Sequence, residues 1–131
     1  VTARFRSGLY FKDLLEPGAI RLQLIRSLSY DSAALERTIR VPRGFVTDLA
    51  SIPRLLWNVL PPIGAYDAAA VVHDWLYRSG GCSRAEADRV LLEAMRACNV
   101  DALQRGAIYA GVRVGGWVTW GKYRKAARVA V

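Results

Sequence analysis

Ser79-Gly80-Gly81 followed at once by Ser83-Arg84-Ala85-Glu86 leaves the second half of this chain little conformational freedom. Glycine ends a helix by supplying the left-handed residue past its last turn. A Ser with a Glu three residues later is a capping box that starts the next one. The pattern predicts a helix from Tyr66 to Tyr77 or Arg78, and a second from Ser83 to about Cys98. Helices joined by so short a turn pack antiparallel. A third helix is expected from Asp101 or Ala102 to about Trp120. It carries Gly106, Gly111, Gly115 and Gly116, so its helicity is costly in isolation and it should lie close against a neighbour.

The first half alternates instead. Residues 19–26 set Ile20, Leu22 and Leu24 against Arg21 and Gln23, and residues 37–41 alternate again, with a polar turn expected at Asp31-Ser32. Pro17-Gly18 opens a hairpin or small antiparallel sheet. Residues 42–64 lack either period, a long irregular connection for so small a domain and a candidate functional segment for that reason. A helical turn is expected there at residues 55–59. The fold class is therefore α+β, one domain over residues 1–131: a strand-rich part (1–46), a loop (47–64), a helical part (65–121) and a basic tail (122–131). At 131 residues, 53% hydrophobic and 23% charged, the chain is too apolar to be disordered.

The net charge of +8 is unevenly placed. From Ala102 onward there are six cations, Arg105, Arg113, Lys122, Arg124, Lys125 and Arg128, and no carboxylate. An anionic neighbour fits this distribution, but no zinc-finger spacing, RNP motif or basic zipper accompanies it, so nucleic acid is not the expected partner. No apolar run reaches the roughly 20 residues needed to span a bilayer. Cys82 and Cys98 lie near opposite ends of the second helix, roughly 20 Å apart at 1.5 Å per residue, and are expected as free thiols.

The single histidine sits in His73-Asp74-Trp75-Leu76-Tyr77. Helical geometry puts His73 on a face with Tyr66, Ala69, Ala70, Leu76 and Tyr77, pointing inward. On the next helix Asp88 is flanked by Leu91, Leu92 and Met95, while Arg89, Glu93 and Arg96 occupy the wet face. An inward carboxylate needs a partner, and His73 lies at a matching height across the turn. A carboxylate on one ring nitrogen would leave the other as a general base acting on water. Asp74 points elsewhere: it either pairs with Arg78 at i+4 or gives an oxygen to a hard cation together with Asp48 and loop carbonyls.

Three segments together carry a resemblance: Phe45-Val46-Thr47-Asp48-Leu49-Ala50-Ser51-Ile52-Pro53-Arg54 with Pro62-x-Gly64-x-Tyr66, then His73-Asp74-Trp75-Leu76-Tyr77, then Ser83-Arg84-x-x-Ala87-Asp88 with Met95. Over residues 40–120 the chain resembles an uncharacterised family of small proteins of tailed bacteriophages and prophages. That resemblance implies synthesis in the host cytoplasm, association with a virion, and phage structural proteins or bacterial envelope lipid as partners. The His-Asp-x-x-Tyr helix and the following Asp helix are also similar, more distantly, to secreted phospholipases of the A2 type. This second resemblance implies a similar antiparallel helix pair and a calcium-dependent ester hydrolase. In it His73 is the base, Asp88 its orienting partner and Tyr77 a brace, with Asp48, the Leu49 carbonyl and Asp74 as calcium ligands. The alternative is a non-catalytic tail or baseplate component using the same residues as staples. The chain departs from the lipases in lacking cysteines beside the His-Asp pair and in having Leu49 where their calcium loop has glycine.

Overall fold

A hydrophobic alternation over five residues is enough to set the inner face of the main sheet. In a computed structural model, which describes residues 2–18, 21–49, 51–52, 56 and 66–129, Leu28, Tyr30 and Ser32 of one strand and Ile39 and Val41 of its neighbour are buried. Thr38 and Arg40, between them, face out. The strands are β1 (Arg4–Phe5), β2 (Phe11–Asp13), β3 (Leu22–Leu24), β4 (Leu28–Ser32), β5 (Arg37–Val41) and β6 (Val46–Thr47). They form two antiparallel three-stranded sheets, ordered β1-β4-β5 and β2-β3-β6.

The chain is α+β, with small sheets first and helices after. Two expectations about the strands change. Asp31-Ser32 is not a turn but the end of β4, paired with Thr38 and Arg37; the turn comes at residues 33–36, where Glu36 takes a left-handed φ of 51°. Side-chain partners make this possible. Asp31 is held by Thr38 and two arginines, and Ser32 donates to Glu93. The alternating segments around residues 22 and 39 also belong to different sheets: β3 pairs with β2 across the Pro17-Gly18 turn and with β6.

The helices follow their punctuation. α1 (Asp67–Ser79) ends on Gly80, left-handed at φ 66°. α2 (Arg84–Ala97) starts with the capping box complete: the Ser83 hydroxyl accepts from the Glu86 amide, and Glu86 accepts from the Ser83 amide. α3 (Ala102–Val129) is capped by the Asp101 carboxylate, which accepts the amides of Leu103 and Gln104 at 3.0 Å each. It extends beyond Trp120, so Lys122, Arg124, Lys125 and Arg128 lie on its last turns and not on a tail. Arg124 gives this extension an anchor, donating to the Tyr77 and Arg78 carbonyls at the open end of α1. Ile108, Val112 and Gly116, four residues apart, face the core. On the other side Leu103, Val114, Trp117 and Val118 are exposed.

Glu93 ties helices to sheet. Its two oxygens accept from the Tyr30 hydroxyl at 2.7 Å, the Ser32 hydroxyl at 3.0 Å and the Ala34 amide at 2.8 Å. It was expected on the wet face, because a helical wheel cannot see the strand hairpin that packs over it. The helical turn expected at residues 55–59 has only Leu56 within the described residues. Among those residues both cysteines are free, and no helix is long and apolar enough to cross a membrane.

Candidate functional site

Three helices and the segment after β6 converge on Asp88. The Gly80 turn folds α2 back along α1, which sets His73 Nε2 2.7 Å from Asp88 Oδ1. Tyr77, one turn on, donates its hydroxyl to the same oxygen at 2.6 Å. The other carboxylate oxygen takes Arg113 Nη1 of α3 at 2.7 Å and Arg84 Nη1 at 3.4 Å. The opposite ring nitrogen, His73 Nδ1, lies 3.0 Å from the Ser51 hydroxyl. Ser51, His73 and Asp88 have no exposed surface.

The protons can be placed from the partners. Burial works against ionisation of Asp88, but hydrogen bonds from His73 and Tyr77, the nearness of His73 and the Arg113 contact outweigh it and hold its pKa below the usual carboxylate value. Tyr77 is pushed up, first by burial and then by the Asp88 carboxylate it serves. An ionised Asp88 can only accept, so the proton on Nε2 belongs to histidine, and in the neutral ring Nδ1 accepts from Ser51. Both ring nitrogens are engaged. The order Ser51–His73–Asp88 is that of a nucleophile, a base and its orienting acid.

Gly116 is what lets α3 reach this hub. A Cβ there would lie 2.5 Å from the Tyr77 hydroxyl and 3.2 Å from Arg84 Nη1. Arg84 also donates to the Val112 and Arg113 carbonyls, fastening α3 to α2. The rings of Tyr77 and Trp120 meet edge to face at 5.2 Å.

The residues assigned to a metal assemble differently. Asp48 and Asp74 do converge, but on the Arg78 guanidinium, with Nη2 3.3 Å from Asp48 Oδ1 and Nε 3.3 Å from Asp74 Oδ2. Asp74 Oδ2 also accepts the Thr47 hydroxyl at 2.6 Å. The Leu49 carbonyl accepts the Ile52 amide at 3.2 Å, and Leu49 adopts φ 59°, the conformation for which glycine is the usual choice. Asp74 Oδ1 is buried without a hydrogen-bond partner, but it is one oxygen, and calcium takes six to eight. Among the described residues no group of three or more His, Cys, Asp or Glu side chains is placed to hold a metal. The set does not fit a calcium ion. Burial raises the pKa of Asp74 despite the Thr47 hydrogen bond and Arg78.

Sequence patterns thus brought together His73, Asp88 and Tyr77 but missed Ser51, Thr47 and Arg113. Arg113 had a signal: it is the single charge between Arg105 and Lys122, in a stretch too apolar to leave it unpaired. Ser51 and Thr47 stood within the segment that carried the resemblance, but as small hydroxyl residues in an irregular stretch they had no signal that assigned them a partner.

An α+β domain with a buried Ser-His-Asp row is the class these features define. Residues 22–112 match the family model described as Protein of unknown function (DUF1353), which is more than half the chain, and the protein belongs to that family. Comparison with curated proteins and with solved structures gave no match.

Proposed function

We propose that this protein is a structural component of a tailed-phage particle, a tail or baseplate part, and that Ser51, His73, Tyr77 and Asp88 staple its loop and helices together without catalysing a reaction. The observation that carries the reading is the closed packing of His73, which is fully buried with both nitrogens engaged. A base acting on water must reach that water; here Nδ1 is taken by the Ser51 hydroxyl, and neither Ser51 nor His73 has surface open to a water or a substrate. The exposed row Leu103, Val114, Trp117 and Val118 on α3 supports a part that is covered in an assembly. The test has two arms. The protein should be found stoichiometrically in purified particles and show no turnover of phospholipid or simple esters, with or without calcium. Hydrolysis that disappears in folded His73→Asn would overturn the proposal.

The order Ser51–His73–Asp88 favours one second reading, a hydrolase in which Ser51 would attack an ester of the bacterial envelope after the segment around it opens. Its nucleophile would be a serine, and its chemistry would not route through calcium. A fluorophosphonate probe decides it: covalent labelling of the native protein at Ser51, abolished in Ser51→Ala, would put this reading first. Absence of labelling beside a reactive control hydrolase would remove it.

A further inference from the structure

The outer face of the β1-β4-β5 sheet carries an arrangement that the buried hub does not use. Register sets Arg4, Asp31 and Thr38 side by side across the three strands. Asp31 is only 6% exposed. Its Oδ1 accepts the Thr38 hydroxyl at 2.7 Å and Arg6 Nε at 2.9 Å, and its Oδ2 accepts Arg4 Nε at 3.3 Å. Arg6 Nη2 also reaches the Thr38 hydroxyl oxygen at 3.4 Å.

Both guanidiniums are therefore gripped by the inner nitrogen. Nη1 and Nη2 of Arg4 and Nη1 of Arg6 have no hydrogen bond to the described residues, and the two side chains are 68% and 54% exposed. Both residues line a cleft of about 560 Å³, together with Thr2, Asp31, Arg37 and Thr38. A carboxylate that fixes arginines from below while their outer nitrogens stay free gives the fork geometry that binds oxyanions at two points. The rotamer entropy of two long side chains is already spent in the free protein. Arg4 and Arg6 against Asp31 leave one positive charge; Arg37, at the edge of the cleft, turns its Nη2 toward the Gly81 turn and lies near Glu86.

We propose that this cleft binds the phosphate of a small phosphomonoester, whose several acceptor oxygens match the free donors of Arg4 and Arg6. The inference is independent of the role of His73, since no residue is shared.

Calorimetric titration of the full chain at about 50 mM salt, where surface electrostatics are only partly screened, tests it with inorganic phosphate, methyl phosphate and dimethyl phosphate. Saturable one-site binding of the first two is expected, with dimethyl phosphate, a monoanion lacking one acceptor oxygen, weaker by about tenfold. Arg4→Gln and Arg6→Gln should each weaken methyl phosphate by about tenfold. Asp31→Asn separates positioning from bulk charge: it adds a positive charge to the cleft, yet should weaken binding by roughly threefold or more because the forks lose their anchor. Thermal melts accompany each variant, and if Asp31→Asn does not fold, Thr38→Val asks the same question of the hydroxyl that holds Asp31. Lack of saturation or tighter binding by Asp31→Asn would overturn the proposal. So would duplex DNA displacing methyl phosphate with a steep salt dependence, which would mark a polyanion surface instead.

Discussion

Replacing Asp88 by Asn keeps the shape of the hub and removes its charge. The carboxylate accepts from Tyr77 at 2.6 Å, His73 at 2.7 Å, Arg113 at 2.7 Å and Arg84 at 3.4 Å. An amide offers one oxygen to these donors and turns an NH₂ toward the others. At least one guanidinium then loses its counter-charge, although Arg113 and Arg84 keep 34% and 20% of their side-chain surface in solvent. Breaking a buried ion pair from one side costs about 3–5 kcal/mol; solvent at the arginines places this one at about 3 kcal/mol, still a large share of the ~5–15 kcal/mol that holds a domain of this size. Asp88→Asn should lower the melting temperature by roughly 10–20 °C, read by circular dichroism, with urea unfolding followed by tryptophan fluorescence giving the free energy.

The pH dependence has a definite sign. Asp88 has a folded pKa below its ordinary value, so its contribution is full above the unfolded carboxylate pKa of about 3.9. It is lost as pH falls through the lower folded value. The gap between wild type and Asp88→Asn should therefore hold from neutral pH to about pH 4 and close below it. A variant within about 1 kcal/mol of wild type, or more stable, would refute the staple argument. Residues kept for chemistry commonly sit at a cost to stability, and their removal relieves it.

Gly116→Ala should destabilise by about 1–3 kcal/mol, because its Cβ would displace the Tyr77 hydroxyl. Gly121→Ala on the same helix meets nothing within 4 Å and should stabilise by about 0.5–1 kcal/mol; thermal melts of the pair check both signs. Glu93→Ala strands three donors from the sheet and should cost about 2–3 kcal/mol, with Tyr30→Phe recovering only the share of one bond in a double-mutant cycle. Asp74→Asn is expected to be mild at neutral pH, under about 1 kcal/mol. Its raised pKa means that the folded state binds the proton more tightly, so the carboxyl favours folding below the unfolded pKa and loses that advantage as pH rises through the folded one. Urea melts from pH 3 to 7 should show the mutant gaining on wild type as pH rises, over about that range.

Legibility in the sequence followed locality. The Gly80 stop, the Ser83–Glu86 box and the inward turn of His73 and Asp88 depend on residues within one or two helical turns, and periodicity carries them. Asp31-Ser32 resembled a turn because polar pairs in short loops usually do. Its strand conformation rests on Thr38, across the hairpin, and on Arg4, Arg6 and Glu93, each 25 or more residues away. Glu93 was misplaced for the same reason. A pattern of carboxylates carries no information about which cation lies between them; of the two readings of Asp74, the structure shows the pair with Arg78, four residues on, which also reaches Asp48.

The basic charge changes meaning once its partners are seen. Arg113 neutralises Asp88, Arg124 closes the end of α1, and Arg105 donates to the Val100 carbonyl. Half of the six cations after Ala102 thus work inside the fold, and Lys122, Lys125 and Arg128 remain on the exposed surface. Arginine suits the internal task because one guanidinium can satisfy a carboxylate and carbonyls together. The same economy bears on His73. In a catalytic dyad the acid holds one ring and the ring serves the substrate. Here one acid holds a histidine, a tyrosine and two arginines drawn from three helices, and the ring's remaining nitrogen is taken by the segment after β6. On the proposed staple role a hub with that many obligations stays closed, and the stability of Asp88→Asn measures how closed it is.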